Sequence, residues 1–116
     1  MRYFMILILF VVACLANSAA ARDDAGSNGD AKSAYKTNCI ACHGADGAGT
    51  SVGKSMKVPN LRSEEVQKKS DADLGGSITE GKNNMPSFKR SLSPEQVQAL
   101  VAYIREFAKA KPASGK

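Results

Sequence analysis

The sequence has no tryptophan, a single histidine, three cysteines and only four prolines among 116 residues. Nowhere does it alternate apolar and polar residues over a strand's length, and no segment repeats, which argues for helices joined by loops. Beyond residue 21, only 14 of the remaining 95 residues are Leu, Ile, Val or Phe. That share lies below the roughly 20 % at which a chain still buries enough apolar surface to offset the entropy of ordering. The net charge of +5 is modest, which argues against plain disorder. A folded domain of this composition needs apolar surface from something other than its own side chains. The lysines are scattered, with few aromatic residues among them, which excludes a nucleic-acid surface.

What is present begins with Met1-Arg2, an apolar run from Tyr3 to Ala16, and the small residues Ser18-Ala19-Ala20-Ala21. A charged start, an apolar stretch shorter than a membrane span and an Ala-x-Ala site make residues 1–21 a signal peptide. Val11-Val12-Ala13-Cys14 offers a second reading, a lipobox that would leave lipidated Cys14 at the mature terminus. An uncleaved anchor is a third. All three place the domain outside the cytoplasm, in the periplasm, and the first two leave a mature form without a transmembrane span. The remaining chain suffices for one domain. Residues 22–29 read as a flexible leader, 30–111 as the domain and 112–116 as a tail.

Asp30 is placed to cap a helix running through Ala34 and Tyr35 towards Cys42 and ending near Gly44. From Gly44 to Arg62, glycines and few large apolar residues indicate a long irregular loop, a kind that usually wraps something. Ser63 is expected to cap a short helix over 64–69, and Ser70 or Asp71 one that reaches Glu80 and stops at Gly81. Residues 82–92 form another loop. Ser93-Pro94-Glu95-Gln96 is a capping box with proline at the first helical position. It opens a helix whose Val97, Leu100, Val101, Ile104 and Phe107 form one buried stripe.

The motif that carries chemistry is Cys39-Ile40-Ala41-Cys42-His43. Residues three and four apart share a helix face, so Cys39 and Cys42 can form thioethers along one porphyrin edge while His43 reaches the iron. A structural zinc site wants four ligands, and the mature chain offers only these three Cys and His residues. A thioredoxin-like pair needs strands that are not there, and a plain disulfide leaves His43 unexplained. One covalently bound haem c, with its iron, is therefore the expected cofactor. For a second axial ligand the mature chain has Met85 and Met56. Met85 stands before Pro86 in a stiffened loop after a helix, where a side chain can be aimed across a cofactor. Met56 lies close behind His43, and an open iron is the third option.

Cys39 to His43, Pro59-Asn60-Leu61, Met85-Pro86 with Phe88, and Leu100-x-x-Tyr103-Ile104 together resemble a class I cytochrome c over roughly residues 30–109. The resemblance implies an all-α fold of a few helices and long loops round one haem, with the first and last helices crossing at its edge. It matches Tyr35 and Tyr103 to aromatic positions of that crossing, and departs at Ala31, where the family usually has glycine. It selects Met85 as the partner of His43 on the iron. It gives the Pro59 carbonyl as acceptor for the other imidazole nitrogen, a bond that raises ligand basicity.

The implied function is single-electron transfer, with no enzymatic activity. Partners are an oxidase, a dehydrogenase or a membrane electron-transfer complex, met by a freely diffusing monomer. Lys54, Lys57, Lys82, Lys89 and Arg90 lie in the loops expected to frame the haem, where positive charge steers towards an acidic docking surface. The alternatives are a haem enzyme or gas sensor with a labile sixth position, or a subunit of a larger redox complex. Ala48 to Ser55 looks like a phosphate-binding loop, but it lacks the first glycine and follows no strand.

Overall fold

The computed structural model describes residues 25–110, with side chains from Asp30 onward. The expected signal peptide, Cys14 and the tail at 112–116 lie outside the described residues. The described chain is helical: α1 (Ala25–Asn38), α2 (Ile40–His43), α3 (Ser51–Ser55), α4 (Glu64–Gln67), α5 (Asp71–Glu80) and α6 (Pro94–Lys109). Among the described residues the only β pairing is an isolated bridge between Lys82 and Met85.

Helix α6 has the strongest local reasons to form. Ser93 Oγ accepts from Gln96 N at 3.1 Å and Gln96 Oε1 accepts from Ser93 N at 2.9 Å, the reciprocal box that satisfies two otherwise orphaned amides. Its stripe Val97, Leu100, Val101, Ile104 and Phe107 is buried as expected, and Leu100 is fully so. Burying a leucine of that kind stabilises by about 1.5–3 kcal/mol.

Helix α1 packs across α6. Its contribution is Ala31 and Tyr35, one turn apart and both buried. The Tyr35 ring lies 5.3 Å from Tyr103 and 5.2 Å from Phe107, in tilted contacts. The helix starts at Ala25, not at Asp30, so residues 25–29 of the expected leader are helical and Asp30 is internal to α1. The segment contains no proline, and once Ala31 and Tyr35 are packed, each further turn adds hydrogen bonds without a new nucleation cost.

The two middle helices begin where their caps lie. Ser63 Oγ accepts from Val66 N and Ser70 Oγ from Asp73 N, and Gly81 ends α5 at φ +76°. Arg105 of α6 fastens the link between them, donating to Lys69 O at 2.6 Å, Asp71 Oδ1 at 2.7 Å and Gln67 O at 2.8 Å. Within the expected loop from 44 to 62, Thr50 caps the additional helix α3 by accepting from Gly53 N.

Candidate cofactor site

The helix Ile40–His43 follows α1 after a single turn residue, Cys39, at φ −117°. His43 N donates to Cys39 O at 2.9 Å, closing one α-helical turn. This ring of bonds puts Cys39, Cys42 and His43 on neighbouring positions of one helical face. Both cysteines are half-buried free thiols, and burial pushes the Cys39 thiol up to about 11.

Cys39 and His43 open onto a cleft of about 300 Å³. Tyr35, Leu100 and Ile104 of the two crossing helices form part of its lining, and Leu61, Val66, Leu74 and Ile78 continue it in hydrocarbon. Met85, with Lys82, Asn83 and Asn84, lines the same cleft, as do Pro59 and the segment Met56 to Val58. Cys42, on the same turn as Cys39, does not line it.

His43 is only 8 % exposed, and its Nδ1 is buried without a hydrogen-bond partner. Burial also holds its pKa below the usual imidazole value, favouring the neutral ring that can offer a lone pair to a metal. A buried orphan of this kind normally costs about 1–3 kcal/mol, so it calls for a partner. Among the described residues no group of three or more His, Cys, Asp and Glu forms a bare-metal site. A large apolar, flat-walled group bringing its own iron fits a cleft lined in this way and would take the lone pair of the neutral ring, leaving Nδ1 to a carbonyl acceptor.

The profile of the family described as cytochrome c oxidase, cbb3-type, subunit III, matches residues 27–104. The chain belongs to the cytochrome c family. Cytochrome c6 of Anabaena variabilis is 32 % identical over 80 residues, covering 66 % of this chain and 87 % of that relative. Cytochrome c6 of Leptolyngbya boryana is 31 % identical over 74 residues, covering 64 % and 85 %. Among solved structures, the KustC0563 c-type cytochrome superposes with a TM-score of 0.64 at 38 % identity, over 67 % of this chain and 96 % of that one. The all-α class I fold expected of the sequence is therefore the observed one, the cofactor of this cytochrome is covalently attached haem c with its iron, and its function is haem-based electron transfer.

Of the five cations expected to frame the haem, Lys57 and Lys82 line the cleft; Lys54, Lys89 and Arg90 do not. Lys89 instead pairs with Glu80 at 3.3 Å. Glu65 on α4 and Lys69 just beyond it line the cleft unforeseen, since a helix of four residues is too short for a face to show in the sequence pattern. Lys57 at φ +58° and Asn83 at φ +54° are the only non-glycine residues of the described chain in the left-handed region, and both line the cleft. Backbone of this kind collects at functional sites, where surrounding structure holds it in place.

Proposed function

We propose that this cytochrome is an exported single-electron carrier with haem c bonded to Cys39 and Cys42 and iron held by His43 and Met85. The observation that carries this reading is the buried, unpartnered His43 on the same apolar cleft as Cys39 and Met85. The haem supplies an iron that gains and releases one electron between its ferric and ferrous states.

The chain's own residues do the rest. Cys39 and Cys42 would tie the cofactor covalently to the chain through two thioethers. His43, kept neutral by burial, offers a nitrogen lone pair. Pro59 lines the same cleft, and its carbonyl is assigned as the acceptor that Nδ1 lacks, orienting the ring and raising its basicity. Met85 offers a thioether, which favours the ferrous state and so raises the potential. Leu61, Val66, Leu74 and Ile78 exclude water, which leaves the more highly charged ferric state less solvated. With His43 and Met85 both holding the iron, no place would be left on it for a substrate, which separates a carrier from an enzyme or sensor.

Lys57, Lys69 and Lys82 place positive charge around the cleft, a field that favours brief docking of an acidic face on a redox partner such as an oxidase, dehydrogenase or membrane complex. The signal-like residues 1–21 support a periplasmic location.

Met56 also lines the cleft and is 37 % exposed, so it is the rival sulfur ligand. Absorption spectra of the oxidised protein separate the two, since sulfur-ligated ferric haem shows a weak far-red band. The band is expected in wild type and Met56→Leu and absent in Met85→Ala. Retention in Met85→Ala with loss in Met56→Leu assigns the ligand to Met56; absence from wild type removes methionine ligation and with it the carrier reading.

A further inference from the structure

A helix leaves its last carbonyls without partners, and in this chain those carbonyls belong to the haem-attachment turn. Four in succession receive donors from outside α2. Thr50 Oγ1 donates to Ala41 O at 2.8 Å and lies 3.3 Å from Cys42 O. Thr50 N donates to Cys42 O at 3.0 Å, and Gly49 N to His43 O at 2.8 Å. Tyr35 Oη donates to Gly44 O at 2.7 Å, in a buried bond. The same Thr50 hydroxyl accepts from Gly53 N at 3.0 Å, so it ties α3 to the turn. Gly53 packs so closely that a Cβ there would overlap the Cys42 carbonyl.

Thr50 is half-buried and does not line the cleft, and it caps a helix of only five residues. A cap that served α3 alone would have no need to donate its proton elsewhere. Here the proton goes to the segment between the two attachment cysteines. We infer that Thr50 is a positioning residue for His43: with Gly49 it clamps the carbonyls of residues 41 to 43 and so fixes the direction from which the imidazole approaches iron. This rests on the reading that His43 is an iron ligand. It assigns the ring's orientation to residues that follow the attachment motif, in addition to the helix that precedes it.

The test uses the haem-loaded protein and three variants. Thr50→Ala removes the hydroxyl, Thr50→Ser restores it, and Ser63→Ala removes a comparable N-cap from α4, at similar cost to stability, away from the turn. Three quantities are read: the paramagnetically shifted ring resonances of His43 in the ferric protein, the reduction potential, and the exchange rate of the Gly49 amide. In Thr50→Ala the ring resonances and the potential are expected to shift, and the Gly49 amide to exchange about fivefold faster, the factor for one lost hydrogen bond. Thr50→Ser and Ser63→Ala should both match wild type. Unchanged resonances and potential in Thr50→Ala overturn the inference, and so does an equal shift in Ser63→Ala. Should wild type itself show no shifted His43 resonances, the underlying ligand assignment fails instead, an outcome separable from a failure of Thr50 alone.

Discussion

The two proposed iron ligands are held in different ways. His43 stands on a helix, is 8 % exposed, and every carbonyl from residue 41 to 44 is bound by a later or earlier segment. Met85 is half-buried and stands in the loop that follows α5. The stretch after it returns to α5, with Phe88 N donating to Ile78 O and Ser87 Oγ to Thr79 O. Met85 itself closes a turn with Lys82 through bonds of 2.9 and 3.1 Å, one residue beyond Asn83 and Asn84. A ligand on a capped helix inherits the helix's rigidity; a ligand on a turn is only as firm as the turn. Ligand exchange should therefore begin at Met85 and leave His43 in place.

The largest way to break this contrast is to remove what both sides share. The cleft of about 300 Å³ is lined largely by hydrocarbon, including Leu61, Val66, Leu74 and Ile78, in a chain short of large apolar side chains of its own. Cys39→Ala with Cys42→Ala, purified free of haem, is expected to lose its cooperative thermal transition and most of its helical circular dichroism. A haem-free chain that melted cooperatively would show that the side chains suffice as a core.

A smaller change sharpens the Met85 side alone. Gly81 sits at φ +76°, and a Cβ there would come within 2.6 Å of Met85 O and 2.8 Å of Ser87 N. Gly81→Ala should cost about 1–3 kcal/mol in denaturant unfolding and weaken the far-red band while His43 resonances stay put. Equal disturbance of both ligands would mean the two sides are not independent. Five residues away, Gly76 is an exposed position within α5 where a Cβ meets nothing within 4 Å. Gly76→Ala should raise stability by about 0.5–1 kcal/mol through the unfolded chain, with the band unchanged. A weakened band there would show that strain in α5 is transmitted to the ligand turn.

Much of this arrangement was legible where chemistry is local. Ser63, Ser70 and Ser93 each bond an amide three residues on, so their helices start where the sequence places them. The α6 stripe is long enough to show its period, and the attachment motif is contiguous. What escaped depends on partners far along the chain. Thr50 reaches back nine residues to Ala41, and Lys69 owes its place beside the cleft to Arg105, which grips its carbonyl from α6. A threonine two residues before a valine advertises neither. Thr50 ahead of Ser51-Val52-Gly53 was still a readable cap, masked by the glycines around it. The early start of α1 escaped because Gly and Asn there mark a loop by composition, while packing at Ala31 and Tyr35 decides for helix.

Tyr35, near the beginning of the described chain, is sealed by Tyr103 and Phe107, almost at its end. Synthesis runs from the N-terminus, so those rings are made well after Tyr35. Until they arrive, α1 has no surface to close on, so the nascent chain stays open and threadable. The cysteines four and seven residues beyond Tyr35 remain within reach of whatever attaches the cofactor. The distance along the chain between one tyrosine and the helix that covers it thus sets how late α1 can close.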